Sequence, residues 1–225
     1  MENFNPIWEE IFSHRDPSYY PYDNVVSFVF KNYPRNKPKN KINILEVGCG
    51  GGNNMLFLAQ EGFNAFGIDG SNRALDIAKK RFSAAGLKAT FINGDFTDLP
   101  FEDNFFDIVI DRCSIVCVNK SDGKKAIDQI HRVLLKNGKF FFNPYSDQHT
   151  SCTTASQLPS GITTGINKGT LIGNGDLSFY NKNELYTLFS SKWSIKDMRL
   201  KHFIDQLSEH NELHAEWELV LEKND

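Results

Sequence analysis

The sequence of 225 residues has few cysteines, and their spacing excludes several kinds of site. The four cysteines (Cys49, Cys113, Cys117 and Cys152) include no C-x-x-C pair, and no second Cys/His pair stands at zinc-finger spacing. This pattern predicts free thiols in a reducing cytoplasm and no bound metal.

Long apolar runs and a strong net charge are also missing. No stretch approaches the length of a membrane span, and residues 1–12 carry acids without the apolar core of a secretory signal. The formal net charge of -3 gives no general attraction for nucleic acid or anionic membranes. We therefore expect a cytoplasmic monomer or homodimer whose partner is neither a nucleic acid nor a membrane.

Apolar runs alternate with segments of helical periodicity, which is typical of βαβ units around a parallel sheet. Seven strands are predicted, at 42–47, 64–68, 89–92, 106–110, 139–142, 193–203 and 213–221. Helices are predicted at 55–60, between Ser71 and Gly86, at 124–135 and from Asn181, which begins a capping box with Glu184. The pattern predicts a doubly wound α/β fold. Its sheet is mostly parallel and seven-stranded, with an antiparallel last strand and helices on both faces.

Two segments lie outside this alternation. Residues 1–40 are predicted to form a helical cap, and residues 41–225 the α/β domain. Within that domain, residues 146–178 are rich in Ser, Thr, Gly and Asn and show little periodicity, which predicts a long structureless insertion. We expect the aromatic-rich N-terminal segment and this insertion to act as a lid over the ligand, which open α/β sheets bind at the carboxyl ends of their strands.

The strongest local pattern is the glycine-rich run from Leu45 to Gly52, set between a predicted strand and a helix. Glycines there let the backbone turn tightly and approach a ligand closely. A dinucleotide site needs a further glycine where Asn53 stands, so a nicotinamide oxidoreductase fits less well. Glu46 brings negative charge to this turn, which suits a cationic ligand better than a pyrophosphate.

Two further segments carry groups that can recognise a nucleoside. Asp69 ends the second predicted strand, where a carboxylate can accept hydrogen bonds from both ribose hydroxyls. Asp95 and Phe96 follow the third strand. The carboxylate can accept from an adenine amino group while the phenyl ring packs on the base.

Together these segments resemble the class I, Rossmann-like S-adenosylmethionine-dependent methyltransferase superfamily, and its small-molecule branch in particular. Four matches carry the resemblance: E-x-G-x-G-x-G at 46–52, D-x-S-x-x-x-L-x-x-A at 69–78, G-D-x-x-x-L-P-F at 94–101, and an R-V-L-x-x-G-G-like segment from Arg132. The last departs from the family, because Asn137 and Lys139 stand where proline and a second glycine are usual. The resemblance covers about residues 42–143.

The resemblance implies a cofactor, S-adenosylmethionine, and its product S-adenosylhomocysteine. It places Gly48 and Gly50 at the methionyl part, Asp69 at the ribose, and Asp95 with Phe96 at the adenine. The segment from Asp111 to Cys113 would face the sulfonium and the acceptor. The expected cofactor-binding residues are Glu46, Gly48, Cys49, Gly50, Asn53, Asp69, Gly70, Ser71, Gly94, Asp95, Phe96, Asp111 and Cys113.

Candidates for the acceptor side follow from residue type and position. Asp111 and His149 are the candidate catalytic bases, needed only if the acceptor must lose a proton. His149 stands in the polar insertion, so we expect it to be exposed. The candidate substrate-binding residues are Tyr20, Tyr22, Arg112 and Tyr145.

The sequence favours a small-metabolite acceptor methylated on oxygen or nitrogen, such as a sugar or surface-glycan precursor. Nucleic-acid base methyltransferases commonly place an N/D-P-P-Y/F tetrad after the fourth strand, where this chain has residues 111–114 reading D-R-C-S. Two alternatives stay open: a protein that binds S-adenosylmethionine without transferring the methyl group, and an RNA or protein methyltransferase.

Overall fold

The computed structural model describes residues 4–15, 17–208 and 212–224. The strands within these residues are β1 (Asn43–Val47), β2 (Asn64–Asp69), β3 (Thr90–Asn93), β4 (Phe106–Arg112), β5 (Leu134–Asn143), β6 (Ser156–Gln157), β7 (Ile162–Thr164), β8 (Leu177–Ser178), β9 (Trp193–Ile204) and β10 (Leu213–Lys223). Seven of them form one sheet in the order β3-β2-β1-β4-β5-β10-β9, and β6, β7 and β8 form a small second sheet.

The helices of the described chain are α1 (Ile7–His14), α2 (Asp23–Asn32), α3 (Asn53–Gln60), α4 (Asn72–Ala85), α5 (Lys120–Val133), α6 (Thr150–Thr153) and α7 (Lys182–Leu188). Two short 3-10 helices span Lys39–Lys41 and Ile115–Cys117. The predicted ends of α4 are confirmed, since Ser71 is its N-cap and Gly86 its C-cap. The capping box of Asn181 and Glu184 is present at α7. Among the described helices, none has the length and apolar character needed to span a bilayer.

The predicted sheet is confirmed, including its antiparallel last strand. β1 pairs in parallel with β2 and β4, and the pairs β2–β3 and β4–β5 are also parallel. β10 runs antiparallel to both of its neighbours, β5 and β9. The strand order reverses between β1 and β4, and open α/β sheets bind ligands beyond the carboxyl ends of the strands at this point.

Both faces of the central strands are buried, which explains the near-continuous apolar run at 106–110. Val109 packs on one face with side chains of α5 and α7, such as Ile127 and Leu185. Its neighbour Ile108 packs on the other face, in a cluster with side chains of α2, α3 and α4. Helices therefore cover both faces of the sheet, as the sequence predicted.

The predicted starts of α5 and β5 were wrong. α5 begins four residues early because the side chain of Asn119 accepts a hydrogen bond from the backbone N–H of Asp122. β5 begins at Leu134, which pairs with Phe106 before the left-handed residue Asn137 and a shift in register. The turn expected to precede β5 is therefore an irregularity within the strand.

The prediction that residues 146–178 lack structure was also wrong. The segment contains α6 and the small sheet, and its first residue, Ser146, forms a β-bridge with Tyr180. Ser151, Thr163 and other polar side chains of the segment are fully buried. Strands of two or three residues are too short to give a periodic pattern in the sequence.

Candidate functional site

A cavity of about 590 Å³ lies at the carboxyl ends of β1, β2 and β4, within the usual size of small-molecule sites. Its walls come from the turn after β1, the end of β2, the loop after β3 and the end of β4. The expected cofactor residues that line it are Glu46, Gly48, Cys49, Gly50, Asn53, Asp69, Gly70, Gly94, Asp95, Phe96 and Cys113. The two expected residues that do not line it are Ser71 and Asp111.

The turn after β1 requires glycine at position 48. Gly48 has a φ of +64°, and a Cβ atom there would lie 2.1 Å from Cβ of Ser114. Its backbone N–H donates to the carbonyl of Ile68, which ties the turn to β2. Bare backbone consequently forms this wall of the cavity, where a ligand can approach closely.

Asp69 is held in a fixed orientation at the end of β2. Its Oδ2 accepts a hydrogen bond from the backbone N–H of Gly50 at 2.8 Å, and its Oδ1 accepts from that of Ser71 at 2.8 Å. Burial raises the pKa of this carboxyl group, and the two backbone hydrogen bonds oppose that shift. Each carboxylate oxygen keeps further capacity to accept a hydrogen bond from a ligand.

Glu46 is a buried carboxyl group at the cavity wall, with 3% of the residue exposed. Its Oε1 accepts a hydrogen bond from the side chain of Asn54 at 2.6 Å, while its Oε2 has no hydrogen-bond partner within the described chain. Burial raises the pKa of Glu46 to about 8, although the bond from Asn54 lowers it. A buried carboxylate without a full set of partners is costly, so a cation bound in the cavity would stabilise this group.

The loop after β3 presents a carboxylate and a phenyl ring at the cavity. Oδ1 of Asp95 accepts hydrogen bonds from the backbone N–H and the hydroxyl of Thr97, both at 2.8 Å, which fix the loop. Phe96 packs against the apolar cluster on the α5 face of the sheet. The two side chains thus combine an acceptor and an apolar surface, as a purine base would require.

The N-terminal segment covers the glycine turn. The ring of Phe4 lies so close to Gly70 that a Cβ on that glycine would be 2.2 Å from it. Pro17 is packed in the same way against Gly51, with 2.4 Å to a built Cβ. Arg81 on α4 joins the two segments, since its guanidinium donates to the carbonyls of Pro17 at 2.6 Å and of Gly51 at 3.0 Å.

Three of the four residues proposed for the acceptor side line the cavity: Tyr22, Arg112 and Tyr145. The guanidinium carbon of Arg112 lies 4.4 Å from the centroid of the Tyr22 ring. The fourth, Tyr20, is 77% exposed and does not line the cavity, although its carbonyl accepts a hydrogen bond from Asn53 at 3.0 Å. The sequence predicted all four from their positions alone and could not distinguish the three that line the cavity from Tyr20, which does not.

Asp111 and Ser71 have capping roles in the structure. Oδ1 of Asp111 accepts from the backbone N–H groups of Ser114 at 3.0 Å and Ile115 at 2.9 Å, which caps the 3-10 helix Ile115–Cys117. Burial raises the pKa of Asp111 to about 6. The hydroxyl of Ser71 accepts from the backbone N–H of Ala74 at 3.0 Å. Neither side chain lines the cavity, and Oδ2 of Asp111 is buried without a hydrogen-bond partner in the described chain.

His149 is fully buried, so the expectation that it is exposed was wrong. Its Nδ1 accepts from the backbone N–H of Ser151 at 3.0 Å, and its ring centroid lies 4.8 Å from that of His214. The ring of Tyr145, which does line the cavity, packs against His149, which does not. Burial and then the neighbouring His214 lower the pKa of His149 to about 4. The structure does not bring this candidate base to the cavity.

Sequence reasoning missed Asn54, which is 1% exposed and lines the cavity. It donates to Glu46 and accepts at Oδ1 from the backbone N–H of Tyr22 at 3.0 Å, so it connects the glycine turn with the N-terminal segment. The pair Asn53-Asn54 directly after the glycines could have indicated this role. It was overlooked because the helix was predicted to begin at residue 55, whereas α3 begins at Asn53. Within the described ranges, no three His, Cys, Asp or Glu side chains are arranged to hold a metal ion.

Residues 44–138 match the methyltransferase domain family, and they contain most of the cavity walls built from the sheet. This match and the fold described above support the expected resemblance to the class I S-adenosylmethionine-dependent methyltransferase superfamily. A solved S-adenosylmethionine-dependent methyltransferase from Methanosarcina mazei has the same fold, with a TM-score of 0.72 at 19% identity. That likeness covers 91% of this chain and 99% of the other.

Curated proteins are similar to this chain over part of their length. The putative methyltransferase YqeM of Bacillus subtilis is 28% identical over 160 residues, which are 70% of this chain and 59% of that protein. The demethylmenaquinone methyltransferase of Clavibacter sepedonicus is 31% identical over 103 residues, 46% of this chain and 41% of that protein. The chain spans about half the length of the curated relatives it matches.

Proposed function

We propose that the cavity binds S-adenosylmethionine and that the chain transfers its methyl group to oxygen or nitrogen of a small metabolite. The observation that carries the proposal is Glu46, a buried carboxyl group at the cavity wall with an unpartnered oxygen in the described structure. A ligand with a sulfonium and an amino group brings positive charge to such a site. The match of residues 44–138 to the methyltransferase domain family supports the same cofactor.

The other walls fit the remaining parts of this cofactor. We propose that Asp69 binds the ribose hydroxyls, and that Asp95 and Phe96 bind the adenine. The backbone of Gly48 and Gly50 would meet the methionyl part, where the absence of side chains allows close approach. The carboxyl groups, the phenyl ring and the bare glycine backbone thus lie at the carboxyl ends of successive strands, and all of them line the cavity.

The bound cofactor would supply a methyl group already activated by the sulfonium, so the protein's task is in-line positioning and exclusion of water. Two cavity-lining groups, Tyr145 and Cys113, stay protonated near neutral pH and cannot serve as bases, because burial raises the pKa of Tyr145 well above its ordinary value and that of Cys113 to about 12. Asp111 and His149 do not line the cavity. We therefore propose an acceptor atom that attacks without help from a protein base.

We propose that the N-terminal segment is a lid, with the insertion contributing at one point. Phe4, Phe12 and Pro17 pack on the glycines of the cavity wall, and Asn174 of the insertion also lines the cavity. Enclosure by these segments favours a small acceptor over RNA or protein. The demethylmenaquinone methyltransferase among the relatives is, by its name, a small-molecule enzyme, which supports the same class.

Isothermal titration calorimetry with S-adenosylmethionine tests the cofactor proposal. We expect binding to the wild type, at least tenfold weaker binding to Asp69→Asn, and unchanged binding to Ser71→Ala, because Ser71 caps α4 outside the cavity. Absence of binding to the wild type would refute the proposal. Binding without transfer of radiolabelled methyl to any member of a broad metabolite library would favour the alternative, a binding protein without transferase activity.

A further inference from the structure

We propose that the methyl acceptor carries a carboxylate, which binds the guanidinium of Arg112. This inference rests on the proposed function, because it assumes that the glycine-rich side of the cavity holds the methyl donor. It concerns the other side, where Arg112 ends β4. The strand order reverses at β1 and β4, so a group at the end of β4 borders the space next to the donor.

The guanidinium of Arg112 is buried and held in position by groups that leave part of it unused. Its side chain is 17% exposed and lies over the ring of Tyr22. Nη2 stands 3.4 Å from Oε2 of Glu216, and Nη1 donates to Sγ of Cys113. The buried Nε–H has no hydrogen-bond partner in the described part of the chain. A buried donor of this kind calls for an acceptor, and a carboxylate is the group whose geometry matches a guanidinium.

The acidic and the cationic residues that line the cavity stand on different segments of the chain. Among the described residues that line it, the acidic side chains are Glu46, Asp69 and Asp95, all on loops proposed to hold the cofactor. The cationic lining residues are Arg112 and the exposed Arg15. An acceptor with a negative group would be drawn to the Arg112 side and repelled from the acidic side, which would orient it.

Glu216 does not remove the need for this anion. It stands 3.4 Å from Arg112 and also 3.5 Å from Nε2 of His214, so its carboxylate is placed between two donors. Neither separation reaches the 2.7–2.9 Å of a strong charge-assisted hydrogen bond. A carboxylate of the acceptor in direct hydrogen-bonding contact with Arg112 would therefore interact more strongly than Glu216 does.

The cavity wall near Arg112 is aromatic, which favours a compact organic acid as the methyl acceptor. Tyr22 and Tyr145 line the cavity near Arg112, and Trp8 also lines the cavity. Their rings offer apolar surface next to one cationic group, so one carboxylate on an apolar body fits this side better than a doubly charged phosphate. Benzoate is a suitable probe, and benzamide has the same shape without the charge.

The test is calorimetric titration of benzoate and of benzamide into the full chain saturated with S-adenosylhomocysteine. We expect benzoate to bind at least tenfold more tightly than benzamide. The ratio of the two dissociation constants should fall to about one in the double variant Arg112→Gln/Glu216→Gln. The double variant removes both charges, so that no uncompensated carboxylate is left buried. Equal affinities in the wild type, or a preference that survives in the double variant, would overturn the inference.

Two control variants separate Arg112 from other cations. Arg199→Gln removes a cation from an exposed pair with Asp197, and it should leave the ratio unchanged. Arg15→Gln should also leave it unchanged, and loss of the preference in that variant with retention in the double variant would assign the carboxylate to Arg15. Titration of S-adenosylhomocysteine alone distinguishes failure of this inference from failure of the proposed function. If S-adenosylhomocysteine does not bind, the proposed function is refuted. If it binds but benzoate is not preferred over benzamide, only the inference that the acceptor carries a carboxylate is refuted.

Discussion

Replacing Glu46 with glutamine should stabilise the ligand-free protein and weaken the binding of S-adenosylmethionine at the same time. Glu46 is buried at the cavity wall with one oxygen unpartnered in the described structure, and its pKa is raised to about 8. Glutamine keeps an oxygen that can accept from Asn54, and it does not ionise in the unfolded chain, so folding of the variant requires no proton uptake at this position. It also removes the carboxyl group that we propose to ionise beside the cationic end of the bound cofactor.

The magnitude follows from the pKa values of the folded and unfolded states. The folded-state value of about 8 exceeds the ordinary value of 4.5, so the stability present below pH 4.5 is lost as the pH rises through about 8. Each pH unit in this range costs about 1.4 kcal/mol. Between pH 5 and pH 7, the free energy of unfolding of Glu46→Gln should therefore rise by about 2–3 kcal/mol relative to the wild type.

Urea denaturation of both proteins at pH 5, 6 and 7 measures this difference, with Glu61→Gln as a control. Glu61 pairs with Lys39 at the surface and does not line the cavity, so its variant should show no such trend. Calorimetry at pH 7 should give ten- to hundredfold weaker binding of S-adenosylmethionine to Glu46→Gln, since hydrogen bonds to charged groups contribute about 1.5–3 kcal/mol. A stability difference that does not change with pH, or unaltered affinity, would refute this reasoning.

Three further predictions concern the cofactor side. Asp69→Asn should bind S-adenosylmethionine ten- to hundredfold more weakly by calorimetry, since one oxygen of a charged acceptor is lost, and equal affinity would remove Asp69 from the site. Ser71→Ala should lower the free energy of unfolding by about 1 kcal/mol in urea through loss of the α4 cap, with affinity unchanged, and weaker binding would show contact with the ligand. S-adenosylhomocysteine should slow tryptic cleavage after Arg15, and cleavage at an equal rate would argue against the lid.

The cofactor side of the cavity was accessible from the sequence because its groups lie on short strand-to-helix turns. A glycine such as Gly48, fixed by its φ and by contact with Ser114, leaves a local pattern. Asp69 stands at the end of a strand that apolar periodicity identifies. Position within such a turn determines where a side chain points, so local sequence was sufficient there.

The acceptor side depends on contacts between segments that are distant in the chain. His149 was expected to be exposed, yet it packs against His214, which lies 65 residues later. The contact between Arg112 and Glu216 likewise arises only when the strands assemble. Single-sequence periodicity carries no information on such pairings, and short strands such as β6 and β8 leave no pattern at all.

A crystal structure of the chain with S-adenosylhomocysteine tests the central claim most directly. We predict the ligand in the cavity at the ends of β1, β2 and β4, with its ribose hydroxyls on Asp69 and its amino group within hydrogen-bond distance of Oε2 of Glu46. A ligand bound elsewhere, or one that leaves Oε2 of Glu46 without a partner, would contradict the account.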